Sequence, residues 1–211
     1  PFSAAIGQLK EMCTAAEAPL TLNFYIVGHF LGPDHWYRNP SEGGRVCGNM
    51  GHWLDLAVHI LAWHKIPDEW AITVVASDEK IKDENVSIVM VSERGDIVTL
   101  TLTSRSEPFE GVNESVMLQW GDLNAKIDDF RDMKVWKNDF YRKYSYWPKD
   151  VGHKRAILQP FTADENKSQR WHEVKMSTVL MLRIEEMLLL GENQIEFSFA
   201  GQSAKHDVHI D

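Results

Sequence analysis

Three residues of the stretch 52–59 have side chains that can move protons, His52, Asp55 and His59, and a helical turn of 100° per residue puts them on one face with Trp63. Leu54, Ala57, Val58 and Leu61 fall on the opposite face, so both sides of such a helix have a reason to be covered. An imidazole oriented by a neighbouring carboxylate suits general acid–base catalysis, because histidine titrates near neutrality. The same residue types also serve structure: Asp55 can satisfy a loop donor, and His59 can be a core histidine with one backbone partner. A metal held by His52, Asp55 and His59 fits the spacing poorly. Zinc-binding helices set two histidines four residues apart, whereas two helical turns separate these rings by about 10 Å. No metal site is expected.

The helix is entered through "EGGRVCGNMGHWLDL", residues 42–56, where Gly43, Gly44, Gly48 and Gly51 admit two readings. They serve turns and close packing, or they let a small-molecule ring approach the backbone. In the second case Arg45 and Asn49 point polar groups at ligand hydroxyls. The loop "DHWYRNP" divides in the same way, with Trp36 and Tyr37 as rim packing or as a sugar platform. In "YWPKDVGHKRAILQPF", Asp150 and His153 stand at another helix entrance, where a capping oxygen on Asp150 is the ordinary explanation. The pair of aspartates in "KIDDF" reads as a solvated strand end unless the fold turns it inward.

These residues need a scaffold, and the periodicity describes one. Ser3 is placed to cap a helix running to about residue 17, and "LTLNFYIVG" alternates as a strand. Residues 45 to 64 are helical in period. From Trp70 to about Tyr146 the period is two, in "WAITVVAS", "NVSIVMVSE", "DIVTLTLTS", "NESVMLQW" and "AKIDDF", with reversals at "ERGD" and "WGD". That pattern predicts a meander of antiparallel strands. Helical period returns in "HKRAILQPFTADE" and in "STVLMLRIEEMLLL", which Gly191 stops. The fold class is therefore α+β, a mainly antiparallel sheet with helices packed on one face. Neither a repeat nor a linker divides residues 1–211, which are expected to form a single domain.

With 44% hydrophobic and 25% charged residues, the 211-residue chain can bury a substantial core. Its net charge of -9 argues against a nucleic-acid partner, which needs a basic face, and no basic block suits an anionic membrane. Arg183, Glu185 and Glu186 interrupt the most apolar helix, so no bilayer-spanning segment is read. Cys13 and Cys47 lie far apart, which suggests neither a zinc knuckle nor a disulfide scaffold and fits a reducing cytoplasm. No strand runs into G-x-G-x-x-G, the phosphate-cradling turn of dinucleotide domains. The start at Pro1, without an initiator methionine or a leader, is expected of a piece of a longer protein.

Taken in order over nearly the whole chain, "PFSAAIGQLKEM", "EGGRVCGNMGHWLDL", "IDDFRDMKV" and "DVGHKRAILQPF" resemble the C-terminal half of Gfo/Idh/MocA-family NAD(P)-dependent oxidoreductases. The resemblance implies a substrate-binding and oligomerisation domain, with a Rossmann domain and its catalytic lysine absent from this chain. NAD or NADP would be bound mainly by that missing part, so no cofactor is expected on residues 1–211 alone, and the chain by itself is not expected to turn over. The implied substrate is a hydroxyl of a sugar, cyclitol or nucleotide sugar, and the implied partner is a second copy through the sheet. His52 matches the family's proton-relaying histidine, Asp55 a residue that orients the helix, and Trp36, Arg45, Asn49 and His153 the pocket lining. One departure stands out: many members carry an acidic residue or asparagine three or four positions before the histidine, where this chain has Asn49 and Gly48, so no carboxylate on this helix partners His52. The rival reading is a non-catalytic module that pairs through its sheet and keeps a vestigial pocket.

Overall fold

Ser3 opens the first helix, its hydroxyl accepting from the Ile6 N–H at 3.2 Å, in a computed structural model that describes residues 1–13, 17–39, 42–108, 111–161 and 167–199. Helix α1 (Ala4–Met12) buries Ala5, Ile6 and Leu9; the expected extension towards residue 17 lies partly on residues 14–16, outside the described residues. Strand β1 (Leu20–Val27) follows, then a 3₁₀ turn at Trp36–Arg38, a π-helical turn at Val46–Met50 and helix α2 (Gly51–Leu61). Seven strands come next: β2 (Glu69–Ala76), β3 (Val86–Ser92), β4 (Ile97–Thr103), β5 (Asn113–Trp120), β6 (Leu123–Asp128), β7 (Asp132–Lys137) and β8 (Phe140–Ser145). Helices α3 (His153–Leu158) and α4 (Lys167–Leu190) precede the last strand, β9 (Gln194–Ser198), which the periodicity did not single out.

The nine strands of the described residues form one sheet in the order β8-β7-β6-β5-β1-β4-β3-β2-β9. The expected uninterrupted meander is corrected in one respect. β1 inserts between β4 and β5, parallel to the first and antiparallel to the second, and so divides the meander into β2–β4 and β5–β8. Its inner face explains the place: Leu20, Leu22, Phe24 and Ile26 are each at most 1% exposed, and the middle of a covered sheet removes most apolar surface from water. The inner residues of neighbouring strands are buried with them, under Leu54, Ala57, Val58 and Leu61 of α2 and Leu180, Ile184 and Met187 of α4. On the other face Tyr25, Val89, Val91 and Met117 remain exposed, so the helices cover one side, as the α+β reading expects. Among the described residues, no helix is long and apolar enough to cross a membrane.

Helices α2 and α4 are joined by a polar seam. Asp55 pairs with Arg170 and accepts from the Ser177 hydroxyl at 3.2 Å, while Arg170 reaches Glu173 at 2.9 Å and His59 Nδ1 lies 2.8 Å from the same carboxylate. Burial works to raise the Glu173 carboxyl, but hydrogen bonds from His59 and Arg170 outweigh it and hold the group below the usual carboxylate range. Burial also lowers His59, over the opposing pull of Glu173. At neutral pH a neutral His59 therefore donates to an ionised Glu173. His59 is a structural histidine whose partner is a side chain of α4 rather than the backbone.

Farther along α4, Glu185 faces Asp83 across Gly44, where an added Cβ would lie 3.0 Å from one carboxylate and 3.1 Å from the other. Burial, and then the Asp83 charge, push Glu185 up to about 7. The two glutamates thus bear on stability with opposite signs. The depressed Glu173 stabilises the fold above the ordinary carboxylate range and loses that contribution as pH falls. The raised Glu185 stabilises it while protonated and loses that contribution as pH rises through about 7. In thermal and denaturant unfolding, Glu173→Gln is expected to cost about 3 kcal/mol at neutral pH, because it leaves a buried cation short of a partner. Glu185→Gln is expected to raise Tm, and to do so more at about pH 8 than at about pH 5.5. A stabilising Glu173→Gln or a destabilising Glu185→Gln at the higher pH would contradict this assignment.

Candidate functional site

Arg45 fixes the entrance of α2. It is 3% exposed, its Nη1 lies 2.6 Å from Glu84, its Nη2 donates to the His29 carbonyl at 2.8 Å, and its backbone N–H donates to Asp83 at 2.7 Å. Arg38 grips the same two carboxylates, reaching Asp83 at 2.8 Å and Glu84 as well. Burial alone would raise Glu84, but hydrogen bonds from Ser104, Arg38 and Arg45 hold it below the usual range. The π-helical turn then leads into α2 and carries Asn49 on a half-buried position.

The glycines here serve protein packing. A Cβ on Gly48 would stand 2.4 Å from Tyr37 Cζ, and one on Gly51 would stand 2.8 Å from Met181 Sδ. The Tyr37 hydroxyl donates to the Gly48 carbonyl at 3.1 Å. A tyrosine ring therefore occupies the space that a side chain at position 48 would need, which is one of the two positions where the family pattern has an acidic residue or asparagine.

Beyond the turn, Asn49, His52 and Asp55 border a cavity of about 610 Å³ whose other walls include Phe130, Lys149, His153 and Arg170. His52 is exposed in this wall. Its ring meets Trp53 edge-on at 6.5 Å between centroids, and among the described residues no side chain hydrogen-bonds it. Trp53 is buried and donates its indole N–H to Glu114 at 2.8 Å. Lys149 stands 3.5 Å from Glu114 and 2.5 Å from Asp129. A smaller cavity of about 230 Å³ adjoins, sharing Asn49, Trp53 and Val112 and adding Trp36, Tyr37 and Arg45.

Of the six residues singled out in the sequence, Asn49, His52, Asp55 and His153 come together on the larger cavity, while Trp36 and Arg45 border the smaller one, which Asn49 joins to the first. Two of them have their charge spent on the protein. Arg45 is committed to Glu84 and the His29 carbonyl, and Asp55 to Arg170 and Ser177. Asp150 does cap a helix, but the helix is α1: it accepts from the Ala4 N–H at 3.2 Å and from Gly152 at 2.9 Å, next to Arg155. Of the two "KIDDF" aspartates, Asp128 is a solvated strand end and Asp129 is turned inward to Lys149. Lys149 and Glu114 were not anticipated. Lys149 sits within the quoted "YWPKDVGH", whereas Glu114, at the start of an alternating strand, carries no signal of its own. Among the described residues, no group of three histidine, cysteine, aspartate or glutamate side chains could hold a metal ion.

No protein-family model and no curated sequence matches the chain. Solved structures do. A Gfo/Idh/MocA family oxidoreductase from Vibrio cholerae aligns over 90% of this chain and 60% of its own length, with a TM-score of 0.60 and 14% identity. GenD2 from gentamicin A biosynthesis, in complex with NAD, aligns over 93% of this chain and 61% of its own, with a TM-score of 0.65 and 12% identity. Levoglucosan dehydrogenase in complex with NADH and levoglucosan aligns over 92% and 62%, with a TM-score of 0.57 and 11% identity. The chain thus spans about three fifths of the structures it matches, and at these identities the likeness is one of fold. The fold of this chain is that of the C-terminal domain of Gfo/Idh/MocA family oxidoreductases.

Proposed function

We propose that this chain is the substrate-binding domain of an NAD(P)-dependent oxidoreductase acting on a hydroxyl of a sugar, cyclitol or nucleotide sugar, with His52 relaying the hydroxyl proton. The observation that carries this reading is an exposed imidazole in the wall of a 610 Å³ cavity, beside Asn49 and His153 and, among the described residues, without a side-chain hydrogen bond. NADH, NAD and levoglucosan in the complexes of similarly folded enzymes support the cofactor and substrate class.

The residues of this chain divide the work. Trp53, anchored on Glu114, limits the tilt of the His52 ring, and the Asp55 pair with Arg170 holds the helix that presents it. Asn49, His153 and Trp36 contact the substrate, and Arg45 sets the helix entrance from behind. A nicotinamide carried by a further domain would supply the hydride acceptor. The fit to a further, cofactor-carrying domain rests on the surface beside the cavity: Ile157 and Phe161, on α3 and the turn after it, are 69% and 84% exposed, as is apt for apolar groups that another domain covers. His52 takes the hydroxyl proton as the carbon is oxidised and, being open to solvent, hands it on to water.

Assembly through the uncovered sheet face is part of the same proposal. Tyr25, Val89, Val91 and Met117 stand there among Ser87, Thr99 and Thr101, with Lys126 of β6 across the strand pair from Met117. A second copy laid on that face would remove this apolar surface from water.

In the complete enzyme, His52→Ala is expected to lower the rate of the chemical step by about 100-fold, with little change in KM; unchanged turnover would remove His52 from the mechanism. Light scattering behind size exclusion is expected to find a dimer or larger species that Val89→Lys with Met117→Lys dissociates without loss of helical signal. A strictly monomeric wild type would contradict pairing through the sheet.

A further inference from the structure

Two charged sets stand at the larger cavity, lined by their members Asp55, Arg170, Lys149 and Glu114, and behind Lys149 the Asp129 carboxylate also pairs with Arg131 at 3.0 Å. Arg170 lies between Asp55 and Glu173, and Lys149 lies between Asp129 and Glu114. The second set is built at some conformational cost. Asp129 and Phe130 are consecutive non-glycine residues with left-handed backbones, φ 49° and 51°, and this turn both delivers the Asp129 carboxylate to Lys149 and seats the Phe130 ring in the cavity wall. Glu114 in turn anchors Trp53, the neighbour of the His52 ring. Lys149 is only 24% exposed and its two carboxylates 16% each, so the set is largely screened from solvent yet borders the ligand space.

A phosphate, pyrophosphate or carboxylate entering this space meets, among the described residues, no lysine or arginine side chain that lacks a carboxylate partner. To pair with Lys149 it would have to displace a carboxylate, and the displaced group, left with Arg131 or Trp53 alone, would lose the ammonium while still half-buried, which is costly. A neutral polyol needs no such exchange: its hydroxyls accept from the Lys149 ammonium and donate to the Glu114 carboxylate, while Phe130, Val112 and Val151 cover its apolar side. We propose that Lys149, Asp129 and Glu114 together determine specificity, selecting uncharged polyhydroxy compounds and excluding anionic sugars, nucleotide sugars among them. This narrows the substrate class and rests on the reading of the cavity as a polyol site.

The test is kcat/KM of the complete enzyme for myo-inositol and levoglucosan against glucose 6-phosphate, glucuronate and UDP-glucose, in wild type and in two variants. Asp129→Asn tolerates the left-handed backbone, and Glu114→Gln keeps an acceptor for Trp53, so both are expected to fold. Expected is a preference of at least roughly 10-fold for the neutral compounds, which falls by about 10-fold or inverts in either variant as Lys149 is released. A wild-type preference for an anionic member, or a preference that neither variant changes, overturns the role of the three residues and leaves the polyol reading standing. If calorimetry and turnover detect neither class, the polyol reading fails and this inference with it.

Discussion

The placement of the candidate catalytic histidine depends on a carboxylate that never touches it. Glu84 is 3% exposed just before β3, and four groups from separate stretches converge on it: the Leu31 N–H, Arg38, Arg45 and Ser104. A charge so buried is tolerable only with its partners in place, so the loop after β1, the end of β4 and the entrance of α2 are tied to one point. Arg45 precedes His52 by two turns. Once the guanidinium is locked to Glu84, the start of the helix is registered against the sheet, and only rotation about its axis remains to be set.

The seam with α4 sets that rotation. Asp55 and His59 meet Arg170, Ser177 and Glu173 along it, while the apolar residues of α2 face the sheet. One helical face is thereby divided between two tasks. Its C-terminal part is spent on holding a second helix, and its N-terminal end, His52, is left at the rim of the cavity. Exposure of an imidazole at the end of an otherwise committed face is what gives a proton carrier both a rigid mount and a route to water.

Much of this was legible in the sequence, for physical reasons. Period two marks β1 to β6 and their buried sides, and the Ser3 cap marks the first helix, because these signals are local. What escaped was relational. Alternation in β1 says which face is buried but not which strands lie beside it, so its insertion between β4 and β5 was invisible. Arg45 read as a hydroxyl binder because its partner Glu84 lies 39 positions away. Asp150 read as a cap and is one, but for a helix 146 positions earlier in the chain. The glycines of the α2 entrance were ambiguous until Tyr37 and Met181 were seen against them. Lys149 and Glu114 gained meaning only when the turn at Asp129 and Phe130 brought a second carboxylate to the ammonium.

The most direct measurement is a crystal structure of the complete protein with its nicotinamide and a neutral polyol bound. The account predicts the reacting hydroxyl within about 3 Å of a His52 ring nitrogen, inside the cavity that Asn49, Lys149 and His153 border. A polyol bound with its reacting hydroxyl well away from His52, or seated outside that cavity, would contradict it.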